Sequence, residues 1–273
     1  SAFFASRKLD KFDAPDFISS RKMLSLLLFL WAVFWWLGTA LLEITEWNTR
    51  FDNSQLLLIF LSLSVAAGTW LGRARQWNKL RKSTFIFLPM LVLPASAAWF
   101  VEQHVLFSLG WLAWPLAWLM QGFVLKVMDE YEERLAASWH FASLLLLCVL
   151  LVVDAHWWID QIASDAWAGA VATAVPGMMA LLVWRLRSAT RWPVSMHSSV
   201  YHTATIVLVI GQVIFLAFLS ITNPGDADPL PYIPVLNPFD LGLLFALLIS
   251  VFSLSEVRRE TATADDHWRW LRP

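Results

Sequence analysis

The stretch AASWHFASLLLLCVLLVV, residues 136–153, decides the fold class, because its 18 residues include no charged side chain. An α-helix rises about 1.5 Å per residue, so a run of this length nearly spans the roughly 30 Å hydrocarbon core of a bilayer. Soluble proteins interrupt such runs with polar residues about every four to eight positions. Residues 136–153 are therefore predicted to form a transmembrane helix.

Similar apolar runs flank this stretch and recur along the whole chain. Hydrophobic residues make up 58% of the sequence and charged residues only 15%, with a mean hydropathy of +0.58, so lipid must be part of the solvent. In lipid, only helices and closed β-barrels satisfy the hydrogen bonds of the backbone. These runs lack the alternation of polar and apolar residues that is typical of barrel strands, so they are predicted to be helices. The sequence predicts an all-α transmembrane bundle of about eight spans, forming one domain over residues 1–273. The other spans are predicted at residues 23–42, 55–72, 84–101, 105–125, 166–184, 201–221 and 238–255.

The positions of the basic residues predict how these spans are oriented. Lys and Arg concentrate in cytoplasmic loops. With eight spans, 19 of the 20 basic residues fall in the two terminal segments and the even-numbered loops, and only Arg50 falls in an odd-numbered loop. Both termini are therefore predicted to be cytoplasmic. The odd-numbered loops carry ten acidic residues, which either are simply tolerated outside or form a vestibule that attracts cations.

Charge and cysteine content exclude several classes of site. A net charge of −1 argues against nucleic-acid binding, which needs a clustered basic surface. The single cysteine, Cys148, excludes an intrachain disulfide and a metal centre built from several thiolates. We predict no cofactor and no bound metal, and we expect membrane lipid and a lipid-linked or small polar solute as partners.

Candidate catalytic residues cluster at the predicted outer ends of the helices. Carboxylates beside imidazoles support proton transfer or the binding of a divalent ion. The alternative is that these groups are merely hydrated at the level of the lipid headgroups. The candidates are Glu43 and Glu46 at the end of the first span, His104 in the third loop, and Asp154 and His156 at the end of the fifth span.

Candidate ligand-binding residues lie on the first, seventh and eighth spans. Trp35 and Trp36 lie deep in the first span, where indoles either pack or line a site for a lipid-linked sugar. Gln212, near the middle of the seventh span, either bonds helices together or lines a solute path. Asn237 and Asp240 flank the start of the last span, where a capping side chain and a first-turn acid also explain them structurally.

The most distinctive stretch, LPYIPVLNPFDL at residues 230–241, resembles the C-terminal signature of the bacterial membrane-protein family called domain-of-unknown-function family 2339. The segment FWWLG at residues 34–38, followed by Glu43-Ile44, and the segment Arg191-Trp192-Pro193 are similar to the last third of that family. The resemblance implies a multi-pass protein of the bacterial inner membrane with further transmembrane helices upstream. The apolar start SAFFA, without an initiator methionine, agrees with a C-terminal portion of a longer chain. The resemblance implies no activity and no site residues.

Three functions remain open on this evidence. The first is a membrane protein that handles a solute or a lipid-linked glycan at the outer face. The second is a transferase of the outer leaflet, with the carboxylates and histidines as acid or base. The third is a scaffold for envelope complexes, in which none of these polar side chains has a chemical role.

Overall fold

The computed structural model describes residues 2–11, 18–46, 52–100, 104–163, 165–187, 191–222, 227–228, 231, 233 and 236–269. Within these residues every long element is an α-helix, which confirms the predicted all-α class. The helices are α1 (Ala2–Lys11), α2 (Ile18–Glu46), α3 (Asn53–Ala74), α4 (Asn78–Ser83), α5 (Phe87–Phe100), α6 (Gly110–Tyr131), α7 (Glu133–Asp160), α8 (Asp165–Arg187), α9 (Ser198–Thr222) and α10 (Pro238–Arg269).

Seven of the predicted spans are helices that are long and apolar enough to cross a membrane. They lie within α2, α3, α6, α7, α8, α9 and α10. The remaining predicted span, residues 84–101, is a 3-10 turn over Thr84–Ile86 followed by the 14 residues of α5. Pro94 inside α5 has no N–H to donate to the preceding turn, and a helix of 14 residues is roughly 21 Å long. Over the residues that the structure describes, this helix is therefore shorter than the hydrocarbon core.

The contacts within the chain divide it into two compact units. Unit 1 comprises Ser1–Pro94 and Leu106–Val124, and unit 2 comprises Ala95–Val105 and Leu125–Pro273. The single domain and the cytoplasmic termini of the sequence analysis stay predictions.

In unit 1, α1 lies against α2 through an aromatic cluster and a polar one. The ring of Phe3 meets Phe29 and Trp77 edge to face, at centroid distances of 5.7 and 6.4 Å. On the polar side, the Asp10 carboxylate accepts hydrogen bonds from Lys79 Nζ at 2.6 Å and from Ser25 Oγ at 2.7 Å. The aromatic rings supply buried apolar area, and the carboxylate links α1 to both α2 and α4.

The Asp10 contacts predict a dependence of stability on pH. Burial raises the pKa of the Asp10 carboxyl, but the bonds from Lys79 and Ser25 outweigh it and bring that pKa below its ordinary value. A lowered pKa stabilises the fold above about pH 4, and the contribution disappears as the pH falls through the folded-state pKa. We therefore expect Asp10→Asn to lower Tm by about 2 °C at pH 7. The difference from the wild type should shrink progressively in melts recorded at pH values below about 4. A difference that stays constant down to the lowest pH at which the protein folds would contradict the assignment.

Unit 2 is built around α8, the most buried of the seven long helices. Helices α7, α9 and α10 all pack against it. One core cluster contains Leu144 and Cys148 of α7 with Met179 and Val183 of α8. Small residues let α10 approach α8 closely, since a Cβ added to Gly242 would lie 3.1 Å from the Cα of Ala170. Close approach at small residues is the usual way in which helices gain packing energy in lipid.

Candidate functional site

Unit 2 carries two polar clusters near opposite ends of α7. The first, which we call the Asp129 cluster, consists of Asp129, His140, Trp192, His197 and Tyr201. The second, the His104 pair, consists of His104 and Asp154. His140 and Asp154 are 14 residues apart on the same helix, which corresponds to roughly 21 Å along its axis.

Asp129 is the centre of its cluster. Its Oδ1 lies 2.8 Å from His197 Nε2 and 3.1 Å from His140 Nε2, and its Oδ2 accepts a hydrogen bond from Trp192 Nε1 at 2.8 Å. The side chains of Asp129, His140 and His197 are only 5%, 0% and 9% exposed. A carboxylate that is this well buried is tolerated only when it is fully hydrogen-bonded, and here three ring nitrogens surround it.

The two histidines are themselves fixed by neighbouring side chains. His140 Nδ1 lies 2.8 Å from the Tyr201 hydroxyl, and the His140 and His197 rings lie 4.3 Å apart at an angle of 33°. His197 precedes α9, and Tyr201 follows it by four residues, so both side chains project from the same side of the chain. The imidazole planes are therefore held in place by groups that lie outside the carboxylate contact.

The Asp129 cluster brings together three atoms of the kinds that metal ions accept as ligands. Within the described residues, the carboxylate oxygen of Asp129 and one ring nitrogen each of His140 and His197 all lie within 4.8 Å of one another. Imidazole nitrogen and carboxylate oxygen are ligands that zinc and its neighbours accept. No bound metal was expected from the sequence, and none of these three residues was among the candidate site residues.

The His104 pair places an imidazole beside a carboxylate, and an indole packs against the imidazole. His104 Nδ1 lies 3.5 Å from Asp154 Oδ1, and the two side chains are 15% and 17% exposed. The His104 ring lies 4.2 Å from the Trp157 ring at an angle of 31°, and Trp158 lies 5.5 Å away. The pair is therefore only partly exposed and is framed by aromatic surface.

The structure brings together two of the five candidate catalytic residues, His104 and Asp154. His156 is exposed and lies two residues beyond Asp154, so it projects from a different side of α7. Glu43 and Glu46 are exposed near the end of α2, in unit 1.

The candidate ligand-binding residues have separate environments. Trp35 and Trp36 are 54% and 53% exposed, and they line a groove of about 520 Å³ in unit 1. The Trp36 indole also donates to Ser64 Oγ at 3.1 Å. The position of the two indoles in a groove is compatible with a role in lining a ligand site. The hydrogen bond to Ser64 also gives Trp36 a structural role.

The remaining candidates have structural partners in unit 2. Gln212 is buried, and its Nε2 donates to the carbonyl of Thr173 on α8, as expected for a residue that bonds helices together. Asn237 Oδ1 accepts a hydrogen bond from Phe239 N at 2.6 Å, and Asp240 lies in the first turn of α10. The capping interpretation of Asn237 therefore agrees with the geometry.

Comparison with known proteins identifies the family. A family described as predicted membrane protein, domain-of-unknown-function family 2339, matches residues 16–272. No curated protein and no solved structure matches the chain. The match covers nearly the whole sequence and confirms the resemblance noted at residues 34–38, 191–193 and 230–241. The chain therefore belongs to this family of membrane proteins.

Proposed function

We propose that the protein is a bacterial inner-membrane protein that handles a small polar solute or the headgroup of a lipid-linked glycan at the outer face of the membrane. The observation that carries the proposal is the His104–Asp154 pair against the Trp157 ring. The orientation predicted from eight spans, with the basic residues in the cytoplasm, supports an outer location for this end of α7, and the headgroup level is where such a substrate would meet the protein.

The chemistry of the pair fits a hydroxylated ligand. The Asp154 carboxylate accepts hydrogen bonds from hydroxyl groups, and the His104 ring can donate one or accept one. Indole surfaces such as that of Trp158, which is 53% exposed, pack against the apolar faces of sugar rings. A few polar groups within aromatic surface are typical of small-molecule sites.

The second candidate function is a transferase of the outer leaflet. It is favoured by the contact between His104 and Asp154, because a carboxylate that orients an imidazole prepares it to act as a general base. A transferase needs the same binding site, so the two functions differ only in whether a bond of the substrate is broken there.

We expect Asp154→Asn to weaken binding of a polyprenyl-diphosphate-linked hexose by about 10-fold or more, because it removes charge-assisted hydrogen bonds to the ligand. His104→Ala and Trp157→Ala should weaken it as well. Binding would be followed by the intrinsic fluorescence of the protein in nanodiscs. Complementation of a deletion strain would be measured in parallel.

The matched control is His156→Ala, an exposed histidine two residues from Asp154, which should leave binding and complementation unchanged. A transferase would transfer the hexose to an acceptor and release the polyprenyl diphosphate. His104→Ala would then abolish the transfer while retaining part of the binding. If all three site variants bound the probe and complemented like the wild type, the scaffold would be the better explanation.

A further inference from the structure

We propose that Asp129, His140 and His197 bind one divalent transition-metal ion, with zinc as the best fit. The site lies near the end of α7 opposite the His104 pair, and the inference does not depend on the proposed function. It assigns a chemical role to a buried cluster that solute handling at the outer face leaves without one.

The distances in the cluster fit a compact coordination sphere. Zinc binds nitrogen and carboxylate oxygen at about 2.0–2.2 Å, so two ligand atoms on a tetrahedral ion are about 3.3 Å apart. Asp129 Oδ1 lies 2.8 Å from His197 Nε2 and 3.1 Å from His140 Nε2. Inserting the ion therefore requires each of these two oxygen–nitrogen distances to lengthen by about half an ångström or less, and the two ring nitrogens lie within 4.8 Å of each other.

Neighbouring groups fix which atom of Asp129 and which atom of His140 face the shared centre of the cluster. Trp192 Nε1 donates a hydrogen bond to Asp129 Oδ2, which leaves Oδ1 as the oxygen that would face the metal. The Tyr201 hydroxyl occupies His140 Nδ1, which leaves Nε2 as the metal-facing nitrogen. Partners of this kind, which fix the ligating atom of a histidine or carboxylate, are regular companions of metal sites.

Charge and accessibility also favour an ion. One carboxylate and two neutral imidazoles give the ligand set a charge of about −1, which partly neutralises a divalent cation in a buried place. Asp129 lies two residues before the end of α6, and His197 immediately precedes α9, so an ion would reach the site from the ends of the helices. Three protein ligands leave a fourth position for water or a substrate.

The competing explanation is a hydrogen-bond network without metal, and the two differ in what the ring nitrogens do. In the network, both Nε2 atoms donate a proton to the Asp129 carboxylate or share one with it. In the metal site, both Nε2 atoms are deprotonated and donate a lone pair to the ion. Only the second arrangement gives a bound ion that can be counted and a ligand-field spectrum.

The experiment uses the full chain purified in detergent, stripped with a chelator and titrated with Zn²⁺ and, separately, with Co²⁺. We expect one ion per chain and a visible absorption spectrum of low-symmetry four-coordinate Co²⁺. Saturating Zn²⁺ should raise Tm by roughly 5 °C. Absence of binding by the folded wild-type chain would overturn the proposal.

Variants then locate the ion. His140→Ala and His197→Ala should weaken Zn²⁺ binding by about 100-fold or more, and Tyr201→Phe, which keeps the ring in the core, by about 10-fold. His156→Ala, an exposed histidine on the same helix as His140, should bind like the wild type. If His140→Ala or His197→Ala fails to fold, Tyr201→Phe and the Co²⁺ spectrum still decide. The assignment would be refuted if the folded His140→Ala or His197→Ala variant bound Zn²⁺ as tightly as the wild type. It would also be refuted if Tyr201→Phe kept both the wild-type affinity and the wild-type Co²⁺ spectrum.

Discussion

Replacing Asp129 by Ala is expected to lower the free energy of unfolding by about 4 kcal/mol, in the range measured when one partner of a buried charged contact is removed. The carboxylate is 5% exposed and has three ring nitrogens as partners, those of His140, Trp192 and His197. Alanine would leave the buried His140 and His197 rings without this partner, and each such group costs about 1–3 kcal/mol. Asp129→Asn should be nearly as harmful, because its amide N–H₂ would face N–H groups.

The measurement is equilibrium unfolding of the detergent-purified protein by a denaturant, in the presence of a chelator so that no bound metal contributes. Asp160→Ala is the control, since Asp160 is an exposed carboxylate on α7 and its loss should change the free energy of unfolding by less than about 0.5 kcal/mol. Equal effects of the two substitutions would mean that the Asp129 contacts contribute little to stability.

The spans could be predicted from sequence because lipid imposes a local rule. A segment that crosses the membrane must satisfy its backbone within itself and must be apolar over about 20 residues, and both conditions are visible in residues 136–153 alone. The limits of that rule are visible at residues 84–101. Their composition is that of a span, but a 3-10 turn and a helix containing Pro94 replace the single long helix.

The candidate site could be predicted only in part, because its residues meet through tertiary packing. His104 and Asp154 could be proposed as candidates because both lie at the predicted outer ends of the helices. The depth of a residue in the membrane follows from its position in an apolar run, so it can be predicted from sequence. The Asp129 cluster was not predicted, although one of its residues, His140, lies within the apolar stretch 136–153. Its partners Asp129, Trp192 and His197 come from helix ends and a connecting segment, where acids, indoles and histidines are ordinary.

The two clusters suggest a division of roles along α7, which contributes His140 to one and Asp154 to the other. Both clusters depend on α7 keeping its place against α8 and α9, and α8 in turn packs against α10. The α8–α10 contact therefore supports both sites without containing a residue of either. Within this contact, Gly242 lies so close to the backbone of α8 that a side chain added there would meet it.

Replacing Gly242 by Val is expected to lower the free energy of unfolding by about 3 kcal/mol, at the upper end of the cost of overpacking. A Cβ at this position would lie 2.8 Å from Thr173 Oγ1 and 3.1 Å from Ala170 Cα. The second of these atoms is backbone, so the clash is relieved only if α10 moves away from α8. Movement of α8 would also strain the hydrogen bond from Gln212 to the Thr173 carbonyl.

The matched control is Gly211→Val on α9, where a Cβ would meet no atom of the described structure within 4 Å. We expect that variant to remain within about 0.5 kcal/mol of the wild type in the same denaturant titration. Because both substitutions add the same side chain to a glycine inside a long helix, helix propensity largely cancels between them. The difference in unfolding free energy therefore measures the cost of separating α8 from α10. A difference near zero would show that the two helices are not held at the distance that the Gly242 contact requires.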